Sequence, residues 1–143
     1  MTTVPATESA MRKLTPVLIV DAIEPCLPFW VERLGFKKTV EVPEGDALGF
    51  VILTRDGVEV MYQSRASVAK DVPTLAEARG DSTALFIEVE NVDAVERAVH
   101  GVEIVVPRRR TFYGMDEIGV REPGGHAVIF AQPASASAEA PAS

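Results

Sequence analysis

The sequence has one cysteine, Cys26, among its 143 residues. No disulfide can therefore form within the chain, and no zinc site built from several cysteines is available. This composition fits a reducing compartment, and we expect a cytoplasmic protein. Cys26 follows Pro25 near the start of a predicted helix, where a thiolate would gain from the helix dipole. A lone helical cysteine is more often a small packed hydrophobe, and we favour that interpretation.

Long apolar runs and an excess of basic residues are also missing. The N-terminal stretch MTTVPATESAMRKL has no apolar core of the kind that a signal peptide needs, and no run is long and apolar enough for a membrane span. The chain has 14 lysines and arginines against 21 acidic residues, so its net charge is -7. Nucleic acids and anionic membranes select basic surfaces. The sequence therefore predicts neither of them as a partner.

The one run of basic residues and the two histidines are each expected to have a structural rather than a functional role. The one basic run, Arg108-Arg109-Arg110, is interpreted as a solvated strand end rather than a phosphate site, although it could hold the carboxylate of an anionic ligand. His100 ends a predicted helix and His126 follows a turn glycine, so both histidines are expected at the surface and not as metal ligands.

Both ends of the chain are predicted to be disordered, and one domain is expected between them. Residues 1–12 are polar, and residues 133–143, PASASAEAPAS, are rich in Ala, Ser and Pro. Such segments cannot bury enough surface to offset the entropy of ordering. The hydrophobic content of 47% is sufficient for a core within residues 13–132.

The domain begins with a predicted strand and helix. Leu14 to Val20 predicts a buried strand, and Asp21 followed by Glu24 predicts a capping box at the start of a helix. Gly35 ends that helix. The apolar stripe of the helix consists of Ile23, Leu27, Trp30 and Leu34.

Three strands follow, at 36–42, 48–54 and 58–63, and Asp56-Gly57 is a two-residue hairpin signal between the last two. Alternation along the third strand places Glu59, Met61 and Gln63 on one face.

The same order of elements recurs after a linker at 65–81, in which we expect one helical turn. Thr83 to Val89 predicts a strand, and Asn91 caps a short helix that Gly101 ends. The last three predicted strands lie at 102–106, 116–121 and 127–131. A duplicated βαβββ unit, with a first module at 13–64 and a second at 82–132, is the simplest explanation.

This repeat resembles the vicinal oxygen chelate superfamily, which includes glyoxalase I, extradiol dioxygenases and bleomycin-resistance proteins. The resemblance is carried by PFWVERLGF at 28–36 and YGMDEIGVREPGGHAVIF at 113–130, and it covers about residues 14–132. It implies an α+β fold in which two βαβββ modules form half-barrels around a cleft. In the family's enzymes, four side chains hold a divalent metal in that cleft.

The resemblance also assigns the four metal-ligand positions in this sequence. They fall on Pro16 or, with a slip of one residue, Thr15; on Glu59; on Ala84 or Thr83; and on Ile129. Only Glu59 matches the family, because Pro16, Ala84 and Ile129 have no donor atom in their side chains. We therefore expect no metal and no other cofactor.

The resemblance to the metal-free, bleomycin-resistance branch implies a protein that sequesters an antibiotic or metabolite in a cleft of a homodimer. The predicted ligand-binding residues are Glu59, Met61, Gln63, Phe86, Tyr113 and Ile129. Leu18, Ala84 and Ala131 are expected to line the same cleft.

Two other functions stay open. One is an enzyme, either a glyoxalase-type lyase or isomerase or a dioxygenase-like enzyme with an atypical site. In such an enzyme, apolar neighbours would raise the pKa of Glu59 and make it a base, but the spacing identifies no companion acid or nucleophile. The other is a domain whose only activity is dimerisation.

Overall fold

The computed structural model describes residues 9–77 and 82–134, and there the chain forms an α+β fold with two four-stranded sheets. The first sheet contains β1 (Val17–Val20), β2 (Lys37–Glu44), β3 (Ala47–Arg55) and β4 (Val58–Ser64). The second sheet contains β5 (Ala84–Glu88), β6 (Ile104–Arg110), β7 (Met115–Arg121) and β8 (Ala127–Pro133).

The two sheets share one topology. The first has the strand order β1-β4-β3-β2 and the second the order β5-β8-β7-β6. In each sheet the first pair is parallel and the other neighbours are antiparallel. The predicted duplication of a βαβββ unit is therefore confirmed.

The helix predicted after Asp21 differs from the observed structure. A 3₁₀ turn at Glu24–Cys26 leads into a π-helix at Pro28–Arg33. Two prolines in this segment have no N–H to donate, which prevents a regular α-helical ladder. The predicted capping box is wrong, because Glu24 accepts a hydrogen bond of 2.7 Å from the backbone N–H of Leu48 and Asp21 pairs with Arg65 at 2.9 Å.

The remaining turn and cap signals are confirmed. Asp56 and Gly57 both have positive φ, 51° and 86°, as a two-residue type I′ hairpin requires. The side chain of Asn91 accepts a hydrogen bond from Ala94 at the start of α2 (Val92–Ala98). Gly35, with φ 76°, follows the end of the first helical segment.

The linker between the modules contains more helix than the single predicted turn. Helix α1 spans Arg65–Asp71, and the hydroxyl of Ser64 caps it by accepting from the N–H of Ser67 at 3.2 Å. A 3₁₀ turn follows at Pro73–Leu75. Residues 78–81 of the linker, like most of the two predicted disordered ends, lie outside the described residues.

One hydrophobic core joins the two modules. Alternate residues of both sheets enter it, with Val60 and Tyr62 from β4 and Val128 and Phe130 from β8 as examples. Trp30 is fully buried and packs edge to face against Phe29 and Phe36. Because each sheet gives one face to this core, the opposite face of each sheet, here named the outer face, points away from it.

In the part of the chain that the structure describes, no helix has both the length and the apolar character that a membrane span needs.

Candidate functional site

The strand registers arrange the outer face of the first sheet in rows. A polar row contains Lys37, Thr54 and Glu59, with Thr15 bonded to Glu59 at its end. The next row contains Val40, Ile52, Met61 and Val17. The third row contains Val42, Phe50, Gln63 and Ile19. The predicted residues of the first module therefore share one largely apolar face.

The outer face of the second sheet has corresponding rows. The first contains Ala84, Ala127 and Arg121. The second contains Phe86, Ile129, Gly119 and Val106. The third contains Glu88, Ala131, Glu117 and Arg109.

The predicted ligand-binding residues thus form two groups. Glu59, Met61 and Gln63 lie on the first outer face, whereas Phe86 and Ile129 are neighbours on the second. Tyr113 belongs with the second group, since its hydroxyl donates to Glu117 at 3.3 Å. Ala84 also lies on the second outer face, whereas Ala131 is in register with that face but is fully buried. The prediction for Leu18 is wrong, because this side chain is 8% exposed and lies in the core.

Glu59 is held by two side chains. The hydroxyl of Thr15 donates to it at 2.9 Å, and the ammonium of Lys13 lies 2.8 Å from the same oxygen. The hydrogen bonds from Lys13 and Thr15 lower the pKa of Glu59. The predicted rise in this pKa from apolar neighbours is therefore wrong, and the carboxylate stays ionised as a weak base.

The four positions that the resemblance assigns to metal ligands do not fit a divalent ion. Thr15, rather than Pro16, faces Glu59, and the carbonyl of Pro16 accepts from the N–H of Met61. Ala84 begins β5, and Ile129 packs over Gly119, where an added Cβ would lie 3.3 Å from Cγ1 of Ile129. No group of three or more His, Cys, Asp or Glu side chains in residues 9–77 and 82–134 could hold a metal ion.

Matching Thr15 with Ala84, the first ligand positions of the two modules, makes Val17 equivalent to Phe86, and the registers then define the other equivalent positions. Val17 pairs with Met61 in the first sheet, and Phe86 pairs with Ile129 in the second. Met61 is therefore the counterpart of Ile129. Glu59 lies two residues before Met61, so its counterpart is Ala127.

A buried carboxylate on the second outer face was not predicted. Glu117 is 1% exposed and bonds Arg109 through Nε at 2.8 Å and Nη2 at 2.7 Å. Tyr113 donates to the other carboxylate oxygen. The strand alternation that identified Glu59 also places Glu117 on the face of β7 that points away from the core residues Ile118 and Val120. This signal could have identified Glu117.

A second polar cluster lies in the core between the modules, away from both outer faces. The prediction of a surface position is wrong for His126, which is 6% exposed with Nδ1 2.7 Å from Glu122. Glu122 also accepts from the hydroxyl of Tyr62 and from the backbone N–H of Gly124. Burial raises the pKa of Glu122, but the hydrogen bonds from the side chains of His126 and Tyr62 and from the backbone of His126 and Gly124 together lower it below its ordinary value. His100 is exposed, as predicted.

Cys26 is a packed core residue, as we predicted. Its side chain is 1% exposed, and burial raises the pKa of the thiol to about 12. A neutral, enclosed thiol is a poor nucleophile. The residue therefore takes no part in a candidate site.

Comparisons with known proteins give a consistent picture. A glyoxalase/bleomycin resistance protein/dioxygenase from Nocardioides superposes with a TM-score of 0.72 at 16% identity, covering 92% of this chain and 89% of that chain. The bleomycin-binding protein of Streptomyces verticillus, solved with copper(II)-bleomycin, gives 0.58 at 23%, covering 89% and 98%. TnmS3, an antibiotic binding protein from Streptomyces sp. CB03234, gives 0.66 at 18%, covering 89% and 100%.

At these identities the structural likeness establishes the fold alone. No curated protein matches the sequence. The family model for the Glyoxalase/Bleomycin resistance protein/Dioxygenase superfamily, however, matches residues 13–130. Because that match covers most of the 143 residues, the chain belongs to this superfamily.

Proposed function

We propose that this protein binds a small molecule without a metal, in a site formed between the outer faces of two chains in a homodimer. The proposal rests on the chemistry of the side chains at the four ligand positions, which together lack the donor atoms that a divalent metal needs. Thr15 is a weak donor, and Ala84 and Ile129 have no donor atom. The resemblance puts the remaining position on Glu59, which is engaged by Lys13, and the strand register puts it on Met61, which has only a thioether.

The outer faces have the character of a ligand-binding wall. Four of their apolar side chains are about half exposed: Val17, Val40, Val42 and Phe86, at 45%, 40%, 47% and 53%. Clustered exposed apolar residues mark binding surfaces. In one chain these faces point away from the shared core, so a second chain is needed to enclose a ligand, as a binding pocket requires.

The similar structures support the ligand class. One is named a bleomycin-binding protein and another an antibiotic binding protein. An antibiotic or a related metabolite, sequestered in the cytoplasm, is accordingly our proposed ligand.

The first test measures the metal content of the protein, its mass in solution and its binding of bleomycin. We expect less than one equivalent of metal after dialysis against Zn²⁺ or Ni²⁺, a dimer by light scattering, and heat of binding when bleomycin, with and without copper, is titrated. Tight stoichiometric metal binding at the cleft would overturn the proposal. A monomer that binds ligand equally well would overturn the shared site.

A pair of matched variants tests the location of the site. Phe86→Ala removes an exposed ring from the second outer face, and Leu75→Ala truncates a side chain of similar exposure outside both faces. We expect Phe86→Ala to weaken bleomycin binding about 10-fold, since a buried aromatic contact dominates such sites. Equal effects of the two variants would exclude this face.

Catalysis with Glu59 as base is the weaker candidate. Lys13 and Thr15 lower the pKa of Glu59, and this makes the carboxylate a weaker base. Enediolate chemistry also needs a group that polarises the substrate oxygen. Turnover of the methylglyoxal–glutathione hemithioacetal that is abolished by Glu59→Gln would favour the enzyme over the binding protein.

A further inference from the structure

Glu117 supports two exposed side chains on the second outer face. The carboxylate is 1% exposed, and each of its oxygens has a different partner: Arg109 on Oε2 and Tyr113 on Oε1. The buried carboxylate neutralises the guanidinium from below and fixes its orientation. Arg109 itself is 57% exposed at its side chain. The charge that faces outward is therefore the cation.

Arg109 has donor capacity left. A guanidinium has five N–H groups, and the bonds to Glu117 use one on Nε and one on Nη2. The others have no partner among the residues that the structure describes, so they can bind an oxyanion.

The neighbouring arginines differ from Arg109 in this respect. Arg108 lies between Asp93 and Glu96, at 2.8 Å and 2.7 Å, and Arg110 pairs with both carboxylate oxygens of Asp116. They are the strand-end ion pairs expected for a solvated basic run. Arg109 alone of the three shares the outer face with Phe86 and Ile129.

Tyr113 shares the carboxylate of Glu117 with this guanidinium, and Phe112 precedes Tyr113 in the chain. Tyr113 is 53% exposed and Phe112 is 89% exposed, and their rings meet edge to face with centroids 5.0 Å apart. Exposed rings offer a flat apolar surface on which a planar ligand can stack.

We propose that Arg109, Tyr113 and Phe112 bind the acidic group and the ring of a planar aromatic anion. This inference rests on the proposed function, and it names the ligand class: an aromatic carboxylate or an equivalent oxyanion. The chain as a whole has a net charge of -7 and the Arg109–Glu117 pair is neutral, but the exposed member of that pair is the cation. Glu88 lies in the same row of the outer face as Arg109 but three strands away from it, at a distance of roughly 14 Å.

Three matched probes test the charge preference. Titration calorimetry is carried out with 2-naphthoate, its neutral amide 2-naphthamide, and 2-naphthylmethylammonium. We expect 2-naphthoate to bind the native protein about 10-fold more tightly than the other two, because only it completes a charge-assisted hydrogen bond with Arg109. Equal binding of the amide, or tighter binding of the ammonium, would overturn the inference.

Two variants separate the cation from its anchor. Arg109→Gln should bring the ratio of acid to amide affinity to about 1, whereas Glu117→Gln should keep the acid preference because the guanidinium remains. Loss of preference in Glu117→Gln with retention in Arg109→Gln would overturn the inference. Because Arg109→Gln leaves Glu117 buried without a cation, the double variant Arg109→Gln/Glu117→Gln is measured as well; it should also lose the preference.

The calorimetric titrations distinguish a failure of the predicted ligand class from a failure of the proposed binding function. If bleomycin binds in the outer-face site but 2-naphthoate has no advantage, the ligand class is wrong and the binding function stands. If none of the three probes binds, the aromatic anion class is excluded, and the bleomycin and Phe86→Ala measurements still decide the function.

Discussion

The phenol of Tyr62, in the first module, donates a hydrogen bond of 2.5 Å to Glu122 in the second. The same phenol oxygen accepts from the indole N–H of Trp30 at 2.8 Å. All three side chains are buried, and their polar atoms satisfy one another. This chain of hydrogen bonds couples the π-helix, the first sheet and the closing turn of the second sheet.

Tyr62→Phe should destabilise the protein by about 1–3 kcal/mol, because the indole N–H of Trp30 loses its acceptor in the core. Urea denaturation followed by circular dichroism measures the change. Tyr113→Phe is the matched control, since it removes a hydroxyl from a side chain that is 53% exposed and whose bond to Glu117 is only part-buried. The coupling would be refuted if the two phenylalanine variants had the same stability.

Acid should weaken the fold through Glu122. Its folded pKa lies below the ordinary value of 4.5, so the stability gained from the ionised carboxylate is present above pH 4.5 and is lost as the pH falls through the folded pKa. Glu122→Gln should be less stable at neutral pH and lose less stability on acidification. Glu59 and Asp116 have lowered pKa values too, so part of the acid dependence should remain. Urea midpoints from pH 7 to pH 3 test this, and an unchanged acid slope would contradict it.

Alkali should weaken the fold through Cys26. Burial raises the pKa of this thiol from 9.0 to about 12, so the contribution to stability is complete below pH 9 and is lost as the pH rises toward 12. Cys26→Ala should therefore be less stable at pH 7, and its deficit should shrink as the pH rises. Tyr62, whose pKa is also raised by burial, adds a further loss above pH 10 in both proteins. A deficit that stays constant from pH 7 to pH 10.5 would count against the buried thiol.

The sequence predicted the fold well where the signals are local. The alternation of apolar and polar residues predicted the strands. The Asp56-Gly57 pair, which tolerates positive φ, predicted the hairpin, and Asn91 predicted the N-cap of α2. One of the errors has its cause in a partner far away in the sequence. Glu24 was assigned to a local cap, but it accepts a hydrogen bond from Leu48 in β3.

The environments of the ionisable side chains were harder to predict, because they depend on tertiary contacts. His126 is buried because Glu122 accepts both its ring and its backbone N–H, and Tyr62 completes that cluster from the other module. The lowered pKa of Glu59 depends on Lys13, whose position no periodic pattern specifies. Alternation identified the outer faces, whereas the charge state of each carboxylate required the tertiary contacts.

The equivalence of Met61 and Ile129 leads to a gain-of-function prediction. If the outer faces form the family's cleft, restoring donors at equivalent positions should create a metal site. We compare two variants, both carrying Thr15→His, Ala84→His and Ile129→Glu. The first relies on the native Glu59, and the second adds Met61→Glu.

The variant with Met61→Glu should bind Zn²⁺ at least about 10-fold more tightly, because its carboxylates occupy matching places in the two modules. In the other variant, the carboxylate of Glu59 lies two residues before position 61 on the same face, and it stays paired with Lys13. Calorimetric titration with Zn²⁺ gives both affinities, and the native protein is the blank. Equal affinities would mean that Glu59 is the position that faces the cleft, and that the counterpart of Ile129 has been assigned to the wrong residue.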